Sequence, residues 1–263
     1  MVKFVAKKPI NLGQNDGFKI ENWIIQEING RRLSDVSVEL QKIIKVMGYA
    51  ISIADSFSAF KKEGRGLAKK TDITIFKNGQ PFSRLSVKSG SGNSVHQENI
   101  FQFVEFLNAI GANKNEIDAL LFFHWGDGTR DGSGRVTNRL NAREIKSRFP
   151  EVISVVDGLI EKFKIQIVTR ALQGDIDGTE PEYLLYCSNS ESKQRFLVSS
   201  LAKVIEFHNQ IPEESSTIKI GHLNLQNWNR CLMGQENTSH KHRNDIQFKW
   251  VSMLRDMEKL SFV

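Results

Sequence analysis

The stretch Thr71-Asp72-Ile73-Thr74-Ile75-Phe76-Lys77-Asn78-Gly79-Gln80-Pro81-Phe82-Ser83-Arg84-Leu85-Ser86-Val87-Lys88 constrains this chain more than any other. Ile73 and Ile75, then Leu85 and Val87, alternate with polar residues, the period-two pattern of strands with one buried face. Asn78-Gly79, followed by Pro81, marks the turn between them. Facing the apolar residues puts Ile73 opposite Leu85, and so Asp72 opposite Ser86. Lys88 follows on the same face, because residues i and i+2 share a side. A strict two-residue Asn78-Gly79 loop would set Asp72 against Leu85 instead. The spacing therefore predicts a loop of about three or five residues. One face of the hairpin then gathers a carboxylate, a hydroxyl and an ammonium.

A carboxylate on a strand can hold Mg²⁺, which takes one or two carboxylates and completes its shell with water and phosphate oxygens. A neighbouring lysine can orient a water and offset charge on a phosphate in flight. Hydrolysis of a phosphodiester needs these functions together. A solvent-facing hairpin with an ordinary Asp–Lys surface pair would show the same pattern.

Composition narrows the classes. The 263 residues are 40% hydrophobic and 25% charged, as in a soluble globular protein large enough for a sizeable core. No apolar run approaches the ~18 residues of a membrane span, and the start Met1-Val2-Lys3-Phe4-Val5 lacks the apolar core of a signal peptide. The two cysteines, Cys187 and Cys231, read as reduced thiols in a cytoplasmic protein. A net charge of +6 favours a polyanionic partner.

Along the chain, Asn15 to Ile28 reads as a helix with Asp16 as a possible cap, and Ser34 to Met47 as a second. After the hairpin, Ser94 and Gln97 make a plausible capping box for a helix reaching Ile110, with Glu98, Gln102 and Glu105 on one face. His96 and Gln97 then sit where side chains could touch a nucleic acid. Phe122 to Arg135 reads as a loop. Its Asp127, Thr129, Asp131 and Gly132 mimic the start of a calcium loop, but Asn138 stands where the bidentate Glu belongs. Arg135, Arg139 and Arg143 recur every four residues, a basic stripe if helical. Pro150 to Phe163 reads as an amphipathic helix, Lys164 to Leu172 and Tyr183 to Ser188 as strands, and Phe196 to Asn209 as a helix. Toward the C-terminus, strands carry Gln226, Trp228, Asn229 and Arg230, then a polar loop with His240 and Arg243, then Gln247-Phe248-Lys249. Amides and guanidinium groups are the side chains that read base edges.

The hairpin resembles that of the PD-(D/E)xK nuclease superfamily, with Thr71-Asp72 and Ser86-Val87-Lys88 in the motif positions. Ser86 departs from the usual acidic residue. Similar Ser-x-Lys forms occur in some type II restriction endonucleases, whose missing carboxylate comes from the following helix. That resemblance implies Glu98 as the second metal-holding group beside Asp72, with Glu105 in reserve. The Gly17-Phe18-x-x-Glu21 start resembles the N-terminal helix of small monomeric members that cut four-base palindromes, and so implies that Glu21 can reach the metal. The C-terminal strands resemble their recognition part.

The resemblance implies an α/β fold with a central mixed sheet flanked by helices. It implies a catalytic part over 1–155 and a β-rich DNA-recognition part over 156–263. Asp72 and Glu98 would hold Mg²⁺, Lys88 would position the attacking water, and Ser86 would assist. DNA contacts would come from His96, Gln97, Arg139, Gln226, Trp228, Asn229, Arg230, His240 and Arg243. The expected activity is type II restriction cleavage of duplex DNA by a monomer paired functionally with a DNA methyltransferase. The alternatives are a repair or nicking nuclease and an inactive DNA-binding protein.

Overall fold

The computed structural model describes residues 17–48, 50–61, 70–90, 94–190, 193–210, 218–227 and 242–262. Among them, no helix is long and apolar enough to cross a membrane. The chain forms two compact units, but not by division at residue 155. The first unit is Met1–Asn93, Asp175–Val204 and Met253–Val263; the second is Ser94–Gly174 and Ile205–Ser252. The units interleave because two later strands return to complete the sheet that the hairpin begins.

That first sheet contains β1 (Arg31–Arg32), β2 (Ser56–Lys61), β3 (Ile73–Lys77), β4 (Gln80–Ser89), β6 (Tyr183–Ser190) and β7 (Lys193–Ser200), in the order β1-β2-β3-β4-β6-β7. Neighbours are antiparallel except β4 and β6, which run parallel. A parallel pair requires a long crossover. Here the intervening chain is the first stretch of the second unit.

On the apolar face, α1 (Gly17–Ile28) and α2 (Val38–Val46) join a core that includes Ile73, Ile75, Leu85, Val87 and Val198. Ile20, Ile24 and Ile28 recur every four residues on α1 and are essentially fully buried. Each such side chain contributes about 1.5–3 kcal/mol.

The hairpin has the expected register, with Ile73 opposite Leu85, but reaches it by another route. The loop is the two residues Asn78-Gly79, with Lys77 facing Gln80. Asn78 and Gly79 both have positive φ, 50° and 79°, as a tight type I′ turn requires. Between the pairs Ile75–Ser83 and Phe76–Pro81 the register shifts. Phe82 is the extra residue of a β-bulge, and that one insertion moves the strand by the single residue needed to face the apolar side chains.

The second unit holds an antiparallel sheet of β5 (Ser94–Asn99), β8 (Lys219–Ile220), β9 (Leu223–Asn227) and β10 (Asp245–Lys249), ordered β5-β10-β9-β8. Its helices are α3 (Ile100–Ala109), α4 (Lys114–Trp125), α5 (Ala142–Arg148), α6 (Pro150–Lys162) and α7 (Lys164–Gln173). Phe103 of α3 packs edge-on to Phe248 of β10, with centroids 5.4 Å apart. The remaining helices are α8 (Leu201–His208), which carries the chain between the units, and α9 (Met253–Leu260), which packs on β6 and β7.

Several local expectations change. Ser94 to Asn99 is a strand, not a capped helix start. The helix begins at Ile100, and the Asn99 side chain accepts from the Phe101 N–H. The Phe122–Trp125 segment closes α4, which opens with an Asn113–Glu116 capping box and ends at Gly126 in the left-handed region. Lys164 to Leu172 is helical: Lys164, Ile167, Val168, Ala171 and Leu172 are its buried residues, a 3.6-residue pattern that overrides the β preference of Ile and Val. Phe196 to Ser200 belongs to β7, where Val198 pairs with Leu185, and only Leu201 onward is helical.

Candidate active site

The first unit brings Asp72, Ser86, Lys88 and Glu21 into one cluster. Asp72 lies just before β3. Its Oδ2 accepts the Val87 backbone N–H at 2.6 Å and the Ser86 hydroxyl at 3.3 Å. Ser86 is fully buried, so its hydroxyl orients Asp72 and is no substitute for a second acid. Lys88 lies two residues on and pairs in register with Tyr186 of β6. The Tyr186 hydroxyl donates to the Gly90 carbonyl at 3.0 Å and so anchors the turn just after Lys88.

Glu21 reaches this cluster from α1. Its carboxylate is 2.6 Å from the Lys61 ammonium. Burial raises its pKa above the ordinary carboxylate value, and the nearby negative charge of Asp72 adds to that; Lys61 and Lys88 act in the opposite direction. Glu21 is thus held near a second carboxylate with its own charge incompletely compensated. Such a pair gains from a further cation, and an all-oxygen donor set suits Mg²⁺. Among the described residues no three His, Cys, Asp or Glu side chains gather as a metal cage. Two carboxylates completed by water and phosphate oxygens need none.

Glu98 is placed differently from the expectation. It lies on β5 in the second unit and is 2% exposed. Arg170 donates to both of its oxygens, with Nη2 at 2.7 Å and Nε at 3.1 and 3.3 Å, and His96 Nε2 lies 2.9 Å away. Burial pushes the Glu98 pKa up, but the hydrogen bonds from His96 and Arg170 outweigh it and hold the group below its ordinary value. His96 is likewise buried, against Glu98 and the Phe248 ring, not free at a surface. The reserve residue Glu105 is exposed on α3.

The opposite face of that sheet is polar. Gln97, Gln247 and Gln226 stand in one row across β5, β10 and β9. The Gln97 amide donates to Asp245 Oδ2 at 2.8 Å, and the Gln247 amide to Ser94 Oγ at 2.8 Å. His242 Nδ1 also lies 2.7 Å from Asp245 Oδ2.

The basic stripe does not form. Val136–Asn138 is a 3₁₀ turn, and α5 starts only at Ala142. Arg139 instead turns inward over Trp125, 5.9 Å from the ring centre, and its guanidinium nitrogens are sealed from solvent. Arg243 lies over the same ring at 5.6 Å and donates to Asp127 Oδ2 and the Gly134 carbonyl. The other Asp127 oxygen accepts from Thr129, so the calcium-like loop is closed by its own hydrogen bonds. Trp228, Asn229, Arg230 and His240 lie outside the described residues.

No protein-family model matches the chain, and no curated protein matches its sequence. Its fold, however, is similar to a solved structure, restriction endonuclease MspI in complex with its cognate DNA. The TM-score is 0.58 at 14% sequence identity, over 90% of this chain and 93% of that one. The chain has a restriction-endonuclease-like fold.

Within that fold, Lys61, which the sequence sets at the start of a basic approach to Asp72 able to contact phosphates, pairs instead with Glu21. Residues Ala50 to Phe60 carry no clean alternation, since Phe57 and Ala59 are buried but Phe60 is exposed. The strand that delivers Lys61 beside Ile73, one residue from Asp72, was therefore not recognisable. The apolar spacing of Phe57 and Ala59 was the only available signal.

Proposed function

We propose that this protein is a site-specific endonuclease of the type II restriction class, hydrolysing phosphodiester bonds in duplex DNA with Mg²⁺. The observation that carries the reading is the gathering of Asp72, Ser86, Lys88 and Glu21 at the hairpin of a restriction-endonuclease-like fold. We assign the metal to Asp72 and Glu21. Glu98, with both oxygens engaged by Arg170 and a third contact from His96, is assigned a structural role. Bound Mg²⁺ would polarise the scissile phosphate and lower the pKa of a coordinated water.

The chain's own groups would do the rest. Asp72 is fixed by Val87 and Ser86, so its carboxylate enters the reaction already oriented. Lys88 would hold the attacking water and offset charge on the phosphate. Base reading is assigned to the polar face of the second sheet, with Gln226 as the candidate reader among the described residues. Cleavage at a specific site endangers the host's own DNA, so a methyltransferase of matching specificity is the expected functional partner. With one such cluster per chain, a monomer would cut the two strands in turn.

Digestion of unmethylated plasmid in Mg²⁺ tests the reading. Discrete fragments are expected. Nicked circles alone would indicate a strand-nicking enzyme, and a gel shift without cleavage would indicate a binding protein.

A further inference from the structure

Lys61 makes two contacts that together define an unusual position. Its ammonium lies 2.6 Å from Glu21 Oε2 and 4.2 Å above the centre of the Phe18 ring. Phe18 precedes Glu21 by one turn of α1 and is 64% exposed. The Lys61 side chain is itself 40% exposed, whereas that of Glu21 is 9% exposed. A cation at the rim thus partly offsets a carboxylate inside, with an aromatic face beside it. The β2–β3 register sets Lys61 opposite Ile73, the residue after Asp72, so the ammonium enters at the end of β3 where the second carboxylate lies.

We infer that Lys61 is a built-in counter-ion that competes with divalent metal for Glu21 and thereby sets the metal affinity of the site. The inference rests on the reading of Glu21 and Asp72 as metal-holding carboxylates. The charges of Asp72, Lys61 and Lys88 all act on Glu21, a set of two carboxylates and two ammonium groups. A dication added to this set leaves an excess of positive charge. Mg²⁺ demands ligand oxygens at about 2.0–2.1 Å in a near-octahedral shell, which an ammonium hydrogen-bonded to the same oxygen obstructs. Lys61, the ammonium in contact with Glu21 and 40% exposed along its side chain, is the cation that must withdraw for metal to reach that oxygen. A partly exposed ion pair of this kind is worth a factor of about five in affinity.

The test is calorimetric titration of Mg²⁺ into the full chain without DNA. Lys61→Met should bind Mg²⁺ about fivefold more tightly than wild type, and Lys61→Arg, which keeps the charge, no more tightly. Asp72→Asn should lose the binding heat. If Asp72→Asn loses it while Lys61→Met binds no tighter, the competition is overturned and the metal site stands. A Lys61→Arg protein that tightens as Lys61→Met does also overturns it. If Asp72→Asn binds as wild type, the metal-site reading fails and this inference with it. Circular dichroism confirms that each variant is folded before titration.

Discussion

Glu21 and Glu98 are both buried glutamates with cationic partners, yet the two regions treat them oppositely. In the second unit, Glu98 has Arg170 on both oxygens and His96 on one, and its pKa is held down. In the first, Glu21 has one exposed lysine and a neighbouring carboxylate, and its pKa is pushed up by burial and by Asp72. A carboxylate whose compensation is complete serves the fold. One whose compensation is incomplete and comes from a movable cation is available to a ligand. On this contrast we assign the second acid of the proposed site to Glu21 rather than Glu98.

Activity gives the largest expected separation. Asp72→Ala and Lys88→Ala should each lower single-turnover cleavage by roughly 10³-fold while leaving DNA retention in a gel shift intact. Glu21→Gln should fall with them. Glu98→Gln, measured per folded molecule, should cleave at close to the wild-type rate. A cleavage-dead but folded Glu98→Gln would break the contrast and restore Glu98 to the site.

Stability should reverse the order. Removing one partner of a buried pair costs about 3–5 kcal/mol. Arg170 keeps some solvent access, with 21% of its side chain exposed, so Glu98→Ala should lose about 3 kcal/mol in urea unfolding. Glu21→Gln should lose nothing and gain a little, because its charged form is the one the fold disfavours. Similar losses for both variants would mean that Glu21 is as fully compensated as Glu98.

The spacing around Glu98 explains why the sequence alone predicts a helix there. Ser94 and Gln97 have the spacing of a capping box, and Glu98, Gln102 and Glu105 have helical spacing. Only pairing across strands, with Gln247 opposite Gln97 and Ile246 opposite Glu98, makes 94–99 a strand, and such partners are distant in sequence. The hairpin was legible because its partners are close: alternation alone set Ile73 against Leu85. The bulge at Phe82 was not legible, since nothing local distinguishes a longer loop from an extra residue in the strand. Lys164-Ile165-Gln166-Ile167 alternates like a strand, but Ile165 is 58% exposed, and the buried Lys164, Ile167, Val168, Ala171 and Leu172 follow the helical period.

Acid titration sharpens the same contrast more gently. Glu98 has a lowered folded pKa, so its contribution is complete above its ordinary value of 4.5 and is lost as pH falls through the folded value. Glu21 has a raised folded pKa, so it contributes a cost that appears as pH rises above 4.5 through the folded value. Removing Glu98 with Glu98→Gln should therefore flatten the acid-side loss of stability. Glu21→Gln should remove the cost on the higher-pH side. Unfolding free energies from urea melts at stepped pH check both signs, and an unchanged acid slope in Glu98→Gln would show that its pairing does not couple to folding.

The smallest effect concerns the polar row of the second sheet. Gln97 and Gln247 donate to Asp245 and Ser94 within the protein, so truncating either disturbs its neighbours as well as any ligand. Gln226 stands at the end of the row next to β8, half-buried, and precedes the segment with Trp228 and Arg230. An amide that pairs with a base edge contributes about 1–3 kcal/mol of discrimination, whereas a phosphate contact weakens all sequences alike and reduces the salt slope. Gln226→Ala should therefore lose about tenfold in affinity for the cleaved sequence, with binding to unrelated duplex and the salt dependence unchanged. Equal losses on both duplexes would place Gln226 on the DNA backbone. The reading side chains would then be sought elsewhere on the row or in the segment after β9.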